Sequence, residues 1–422
     1  MTAQDLTNLP SRIALVHEWF SDRSVGGAES VVEQIDLLLS SLERQPQLFS
    51  LIDDLSISRR SWLTGRKVKT TFIQRLPFGR SHVQQYLPLL PYAIEQLDLS
   101  DYSLVISSSH LVAKGVLTSP DQMHISYVHT PVRYAWDQMN LYLKRSALSR
   151  NGLEPIIRLL LHDLRKWDQL SATRVDYLLS NSRFTARRIA KFWGRESKVL
   201  HPPVEVERFF WDRDRSDHYL CLCRLVPYKR VDLVIRAFNQ LQLPLNVVGD
   251  GPERRFLEKI AGPTIKILGK QDDSQVQSLM STCRAFVYAG LEDFGIAPVE
   301  AMASGAPVIG FGRGGLLDTI RCATSTLDAP TGVLFPEQSV QSICDAVSWF
   351  EEECLWKRFS AESLRIWAEN FRPEAFRSRL EKILLELWSE HQTACSFASA
   401  GPARKFDFPC KSESETNFTE RG

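Results

Sequence analysis

The chain has 422 residues, with 51 Lys and Arg against 50 Asp and Glu for a formal net charge of +1. That length exceeds one average core and fits two domains plus a tail, and the balanced charge argues against a generally basic nucleic-acid-binding surface. No run of about 18 apolar residues occurs, so no membrane-spanning helix is expected.

The start, Met1-Thr-Ala-Gln-Asp-Leu6, lacks the charged beginning and apolar core of a signal peptide. The eight cysteines include no C-x-x-C pair, so they read as small core residues of a cytoplasmic protein. In chain order, Ser11-Arg-Ile-Ala-Leu-Val-His-Glu-Trp19 begins as an apolar strand and breaks at its polar end. Gly26-Gly27 then leads into the helical pattern of residues 31–39. Residues 104–109, 123–128 and 175–181 read as further buried strands, and Ser182 is placed to cap the helix that follows. A strand, a glycine loop and a helix opening such a series is the first half of a doubly wound α/β domain.

Between Glu154 and Ser171 lie Ile156, Ile157, Leu159, Leu160, Leu161, Leu164 and Trp167, with Arg158, Arg165 and Lys166 among them. Together with Lys144, Arg145 and Arg150, this segment reads in two ways. It is either a basic amphipathic surface for peripheral contact with an anionic membrane, or a helix buried on its domain with the basic residues outward, which is favoured. Residues 202–216, proline-containing and charged, form a linker. A second α/β round follows, with strands at 218–224, 245–249, 265–268, 285–288 and 307–311. The domains are therefore placed at 1–203 and 217–370. Residues 371–392 form a helix that is a candidate to pack back on the first domain, and 393–422 form a tail expected to be disordered.

Chemistry concentrates at strand ends. Glu292-Asp-Phe-Gly-Ile-Ala-Pro-Val-Glu300 places two carboxylates across a glycine turn that opens a helix. Backbone N–H groups at such a turn attract phosphate, while the carboxylates suit sugar hydroxyls. Arg224 and Lys229, in the loop after the second round's first strand, are spaced to converge on one diphosphate. Gly26 and Gly27 are placed to approach a phosphate or sugar, and His129 lies just after a strand among Pro, Tyr and Trp. Asp212-Arg-Asp214 has a metal-site pattern but falls in the linker, so no metal is assigned. Gly310-Phe-Gly-Arg-Gly-Gly315 formally matches a dinucleotide fingerprint but comes too late in its domain. It reads as backbone room beside the ligand.

The order and spacing of these motifs resemble glycosyltransferase family 4, retaining nucleotide-sugar transferases of the GT-B fold, from Leu15 to about Leu387. The resemblance implies two Rossmann-like doubly wound domains facing across a cleft. It implies Arg224 and Lys229 at the leaving diphosphate, Glu300 at the ribose and Glu292 at the donor sugar. Phe294 and Gly295 would position the sugar, Gly27 would approach the phosphate, and His129 would lie near the anomeric carbon. The segments Val16-His-Glu-Trp19, Gly26-Gly-Ala-Glu29 and His129-Thr-Pro-Val-Arg-Tyr-Ala-Trp-Asp137 are similar to a branch of O-antigen and exopolysaccharide mannosyltransferases. That branch implies GDP-mannose as donor, no metal, and a glycan or lipid-linked glycan acceptor. Asp318 departs from the family's usual Glu, which puts the reach of its loop in question. Another donor sugar, hydrolysis or epimerisation of a nucleotide sugar, and a non-catalytic binder remain open alternatives.

Overall fold

The computed structural model describes residues 9–399, apart from 23–25, 57, 59, 64, 146–151 and 325–328. The first sheet contains β1 (Ile13–Ser21), β2 (Gln47–Asp54), β3 (Lys69–Thr70), β4 (Leu104–Ser109), β5 (Met123–Val128), β6 (Tyr177–Ser180) and β7 (Lys198–Val199). All seven run parallel in the order β3-β2-β1-β4-β5-β6-β7. The second contains β8 (Tyr219–Leu222), β9 (Leu245–Val248), β10 (Ile265–Gly269), β11 (Phe286–Tyr288), β12 (Val308–Phe311) and β13 (Gly332–Phe335). These six are also parallel, in the order β10-β9-β8-β11-β12-β13. Central strands such as β4 and β5 are buried at every residue, because parallel sheets carry helices on both faces.

Helices α1 (Gly27–Ser41), α2 (Leu90–Glu95), α3 (Met139–Arg145), α4 (Glu154–Thr173) and α5 (Arg183–Trp193) belong to the first domain. The second has α6 (Val231–Leu241), α7 (Arg254–Ile260), α8 (Asp273–Thr282), α9 (Ile296–Ala303), α10 (Leu316–Thr319), α11 (Val340–Glu352) and α12 (Ala361–Ala368). The Ser182 hydroxyl caps α5 by accepting from the Thr185 N–H at 3.0 Å. After α12 the chain returns. In α13 (Pro373–Ser399), Phe376, Leu380, Leu384 and Leu387 repeat at helical spacing and enter the same core as Val31, Val32 and Ile35 of α1. Helix therefore continues through Ser399, beyond the point where the sequence suggested a disordered tail, and residues 400–422 lie outside those described.

A charged knot holds one corner of the first domain. The fully buried Asp168 of α4 pairs with Lys114 at 2.5 Å and accepts from the indole N–H groups of Trp136 and Trp193 at 2.7 and 2.8 Å. Lys114 also lies 4.8 Å from the Trp193 ring and 5.2 Å from that of Trp167. The outer face of α4 is less polar than the favoured sequence reading supposed. Ile156, Leu159, Leu160 and Leu170 are exposed there, beside Arg158, which pairs with Glu154. The side chains of Lys144 and Arg145, and all of Arg150, lie outside the described residues.

Removing one partner of a buried pair strands the other charge, so Lys114→Met is expected to lower stability by about 3–5 kcal/mol. The exposed pair sets the contrast, with Arg158→Ala expected to cost less than about 1 kcal/mol. Urea melts of the two variants beside the parent check both values.

Candidate active site

In open parallel sheets the connections diverge to opposite faces at one point, leaving a crevice at the carboxyl ends of the strands. Here that point falls between β1 and β4 in the first domain and between β8 and β11 in the second. A cavity of about 440 Å³ lies between the domains, lined from the first by Gly27, His129, Arg133 and Tyr142. From the second come Cys223, Tyr228, Lys229, Tyr288, Glu292, Asp293, Phe294 and Gly295. That volume suits a small-molecule ligand.

In the second domain the Lys229 ammonium donates to Glu292 and, at 2.6 Å, to the Tyr288 hydroxyl, which in turn donates to Glu292 at 2.7 Å. Burial would lower the Lys229 pKa, but Glu292 together with Tyr228 and Cys223 outweighs it and raises the value, so the cation persists. Gly295, at φ +93°, turns the loop into α9. Across the cleft, a Cβ on Gly27 would fall on Ile296 Cδ1. The close approach of Gly27 to the tip of Ile296 brings the N-terminal ends of α1 and α9 together and adds their positive dipole ends.

The first domain places a buried polar cluster beside His129, which the strand-ending pattern at Trp19 had hidden. β1 continues through His17 and Glu18 to Ser21, since pairing with β2 runs on as far as Ser21 with Asp54. Glu18 Oε1 accepts the N–H groups of residues 110–113 at 2.8–3.1 Å and the Ser109 hydroxyl at 3.1 Å. Its Oε2 lies 3.1 Å from His110 Nδ1. Burial alone would raise the Glu18 pKa, but His110, His17 and the backbone donors hold it well below the usual range. His129 takes a 2.8 Å hydrogen bond with the Ser108 hydroxyl. Burial, aided by His110 and His17, pushes its pKa down to about 3, leaving a neutral imidazole.

Of the residues singled out by sequence, His129, Gly27, Lys229, Glu292, Phe294 and Gly295 are brought together on the cavity wall. The other three lie beside it. Arg224 is exposed and makes no ion pair among the described residues. Gly26 caps α1, its N–H bound to the Glu29 carboxylate at 2.9 Å. Glu300 is held at 2.5 Å by Arg208 from the linker. Of the glycines in residues 310–315, Gly314 and Gly315 pack on the acidic loop, where the Gly315 N–H donates to the Glu292 carbonyl at 2.8 Å.

Sequence reasoning missed Asp293, and it missed the interdomain role of Asp318. Asp293 Oδ1 accepts from Arg188 at 2.8 Å, and its Oδ2 accepts from two nitrogens of Arg133. Asp318 accepts the backbone N–H of Arg183 at 2.7 Å and its side chain at 2.8 Å, with His201 at 3.2 Å. The short Asp318 side chain thus joins the Ser182 hydroxyl in capping α5 of the first domain. The one available signal was position: Asp293 lies inside the acidic motif, and Arg133 inside the His129 segment.

Two parallel α/β domains facing across a cleft at both switch points define the GT-B fold. Residues 205–372, under half of the chain, match the family described as Glycosyl transferases group 1. A GDP-mannose-dependent alpha-(1-6)-phosphatidylinositol monomannoside mannosyltransferase of Mycolicibacterium smegmatis is 29% identical over 39% of this chain and 50% of its own length. An alpha-1,3/1,6-mannosyltransferase of Rhizomucor pusillus is 23% identical over 53% of the chain and 60% of its own. The matched segments thus span about half to three fifths of these relatives. Among solved structures, sucrose-phosphate synthase of Thermosynechococcus elongatus superposes with a TM-score of 0.65 at 17% identity, over 90% of this chain and 99% of that one. Anabaena HepE, solved with UDP and glucose, gives 0.61 at 15% identity, over 88% and 98%.

Burial raises the Glu29 pKa from 4.5 to about 7. A raised acid favours its protonated form in the fold, so its stabilising contribution is complete below pH 4.5 and is lost as pH climbs to about 7. Glu29→Gln is therefore expected to match the parent in melting temperature near pH 4.5 and to exceed it above pH 7. A pH series of thermal melts reads the difference.

Proposed function

We propose that the chain is a retaining glycosyltransferase that moves a hexose, mannose from GDP-mannose, onto a lipid-linked or polysaccharide acceptor in cell-surface glycan synthesis. The observation that carries the reading is the meeting, in one cavity, of the Lys229–Glu292–Tyr288 cluster with the N-terminal ends of α1 and α9. The group 1 domain and the GDP-mannose-dependent relative support it.

On this reading the diphosphate lies against Lys229 and the α1 and α9 ends, with the exposed Arg224 at the rim. Cations where charge develops on the leaving phosphate stabilise the transition state more than the ground state, so no metal is required. Glu292 meets hydroxyls of the transferred sugar. Neutral His129 offers a hydrogen bond near the anomeric carbon without repelling the growing positive charge there. Glu300 reaches the ribose by exchanging its contact with Arg208.

Thermal-shift measurements against GDP, UDP, ADP and their sugars test the donor: GDP-mannose is expected to give the largest shift. A shift with UDP-sugars and none with GDP-mannose overturns the donor assignment. Lys229→Ala is expected to remain folded and to lose about 3–4 kcal/mol of transition-state stabilisation, read as transfer rate. Near-normal turnover removes Lys229 from the site.

Peripheral membrane contact is part of the same proposal. It is supported by the exposed Ile156, Leu159 and Leu160 beside Arg158 on α4. Among the described residues no helix is long and apolar enough to cross a membrane. Sedimentation with liposomes of increasing anionic content is expected to show increasing binding. Ile156→Ser with Leu160→Ser is expected to abolish it, and a response flat in anionic lipid rejects the contact.

A further inference from the structure

Asp293 stands between Glu292 and Phe294 in the acidic loop of the second domain, yet both of its oxygens are spent on the first. Arg133 binds one oxygen and Arg188 the other, and the Asp293 side chain is only 8% exposed. Neither arginine is free to drift. Arg188 also holds Asp137 at 2.6 Å and donates to the Thr130 hydroxyl at 2.5 Å. The segment carrying Arg133 is pinned at its far end by Trp136 on the buried Asp168. On the other side, the Arg133 guanidinium lies 5.5 Å from the Tyr228 ring, next to Lys229. A closed circuit therefore runs from His129 and Thr130 through Arg133 and Asp293 to Glu292, Lys229 and Tyr228, and back to Arg133.

We propose that Asp293 is a positioning residue, a latch gripped by Arg133 and Arg188 that holds the cleft closed and fixes Glu292 relative to His129. The proposal rests on reading the cavity as a nucleotide-sugar site. A buried carboxylate with two cationic partners has one low-energy position, whereas an exposed one has many. Fixing the loop at residue 293 fixes both neighbours, one facing Lys229 and the other opening α9. Closure also excludes water, which competes with the acceptor for the donor sugar.

The test compares Asp293→Asn, Arg133→Gln and the double variant with the parent. The readouts are GDP binding, transfer rate, donor hydrolysis without acceptor, and the radius of gyration of the unliganded protein by small-angle scattering. GDP affinity is expected to stay within about threefold of the parent. Transfer is expected to fall by about a hundredfold, the scale of a misplacement of about 1 Å. Hydrolysis should rise relative to transfer, the radius of gyration should increase, and the double variant should be little worse than either single one.

An unchanged radius of gyration and an unchanged transfer-to-hydrolysis ratio overturn the latch. Loss of detectable GDP binding also overturns it, making Asp293 a direct donor ligand. If Asp293→Asn does not fold, Arg133→Gln alone carries the same readouts. Failure of the glycosyltransferase reading is seen separately, as absence of any nucleotide-sugar shift in the parent, while the scattering result still reports on the latch.

Discussion

A carboxylate withdrawn from water costs several kcal/mol unless cations and N–H groups replace its hydration. Among the described residues, Glu18, Glu292, Asp293 and Asp318 are such groups in and around the cleft, and they meet the requirement in more than one way. Glu18 gathers the backbone donors of residues 110–113 in its own domain, Glu292 takes Lys229, and Asp293 and Asp318 take arginines across the cleft. The last two set how the sheets face each other, because a displacement of either domain would strand a buried charge. Apolar packing of α13 on α1 joins the domains as well, but dispersion and hydrophobic contact tolerate sliding more readily than a forked ion pair does.

The same requirement explains the state of the acidic motif. Glu292 and Lys229 neutralise each other, and Glu300 is neutralised by Arg208. A ligand carrying both negative charge and hydroxyls can exchange with these pairs instead of opening them. On the proposed reading, phosphate would replace Glu292 as the partner of Lys229, and hydroxyls would replace Lys229 as the partner of Glu292. A purely anionic ligand would satisfy the lysine and leave the acid buried without a donor. A neutral sugar would do the reverse. The pairing thus favours a molecule with both features, which is a sharper statement than the motif alone permits.

Most strands of both domains were legible because parallel strands covered on two faces must be continuous apolar runs. Residues 104–109 and 123–128 appear in the structure with the bounds that their pattern suggested. β1 was cut short in the reading for a physical reason: His17 and Glu18 are polar yet fully buried, and strand pairing with β2 and β4 is indifferent to side-chain polarity. The cavity wall was legible where a motif is local, as with Lys229, Glu292 and Gly295. Arg133 and Asp293 were not, since the contact spans 160 residues and nothing in either segment announces its partner.

Asp318 shows how far a departure from a family pattern can be read without coordinates. The sequence raised only the question of reach, because a carboxylate one methylene shorter falls short of whatever the longer one would touch. Here the shorter side chain fits against the first turn of α5, accepting both the main-chain and side-chain nitrogens of Arg183. That geometry uses the N-terminal dipole of α5 and leaves only 2% of the Asp318 side chain exposed. An added methylene would push the carboxylate into that turn or swing it toward His201, so the length of the residue and the spacing of the domains are one constraint.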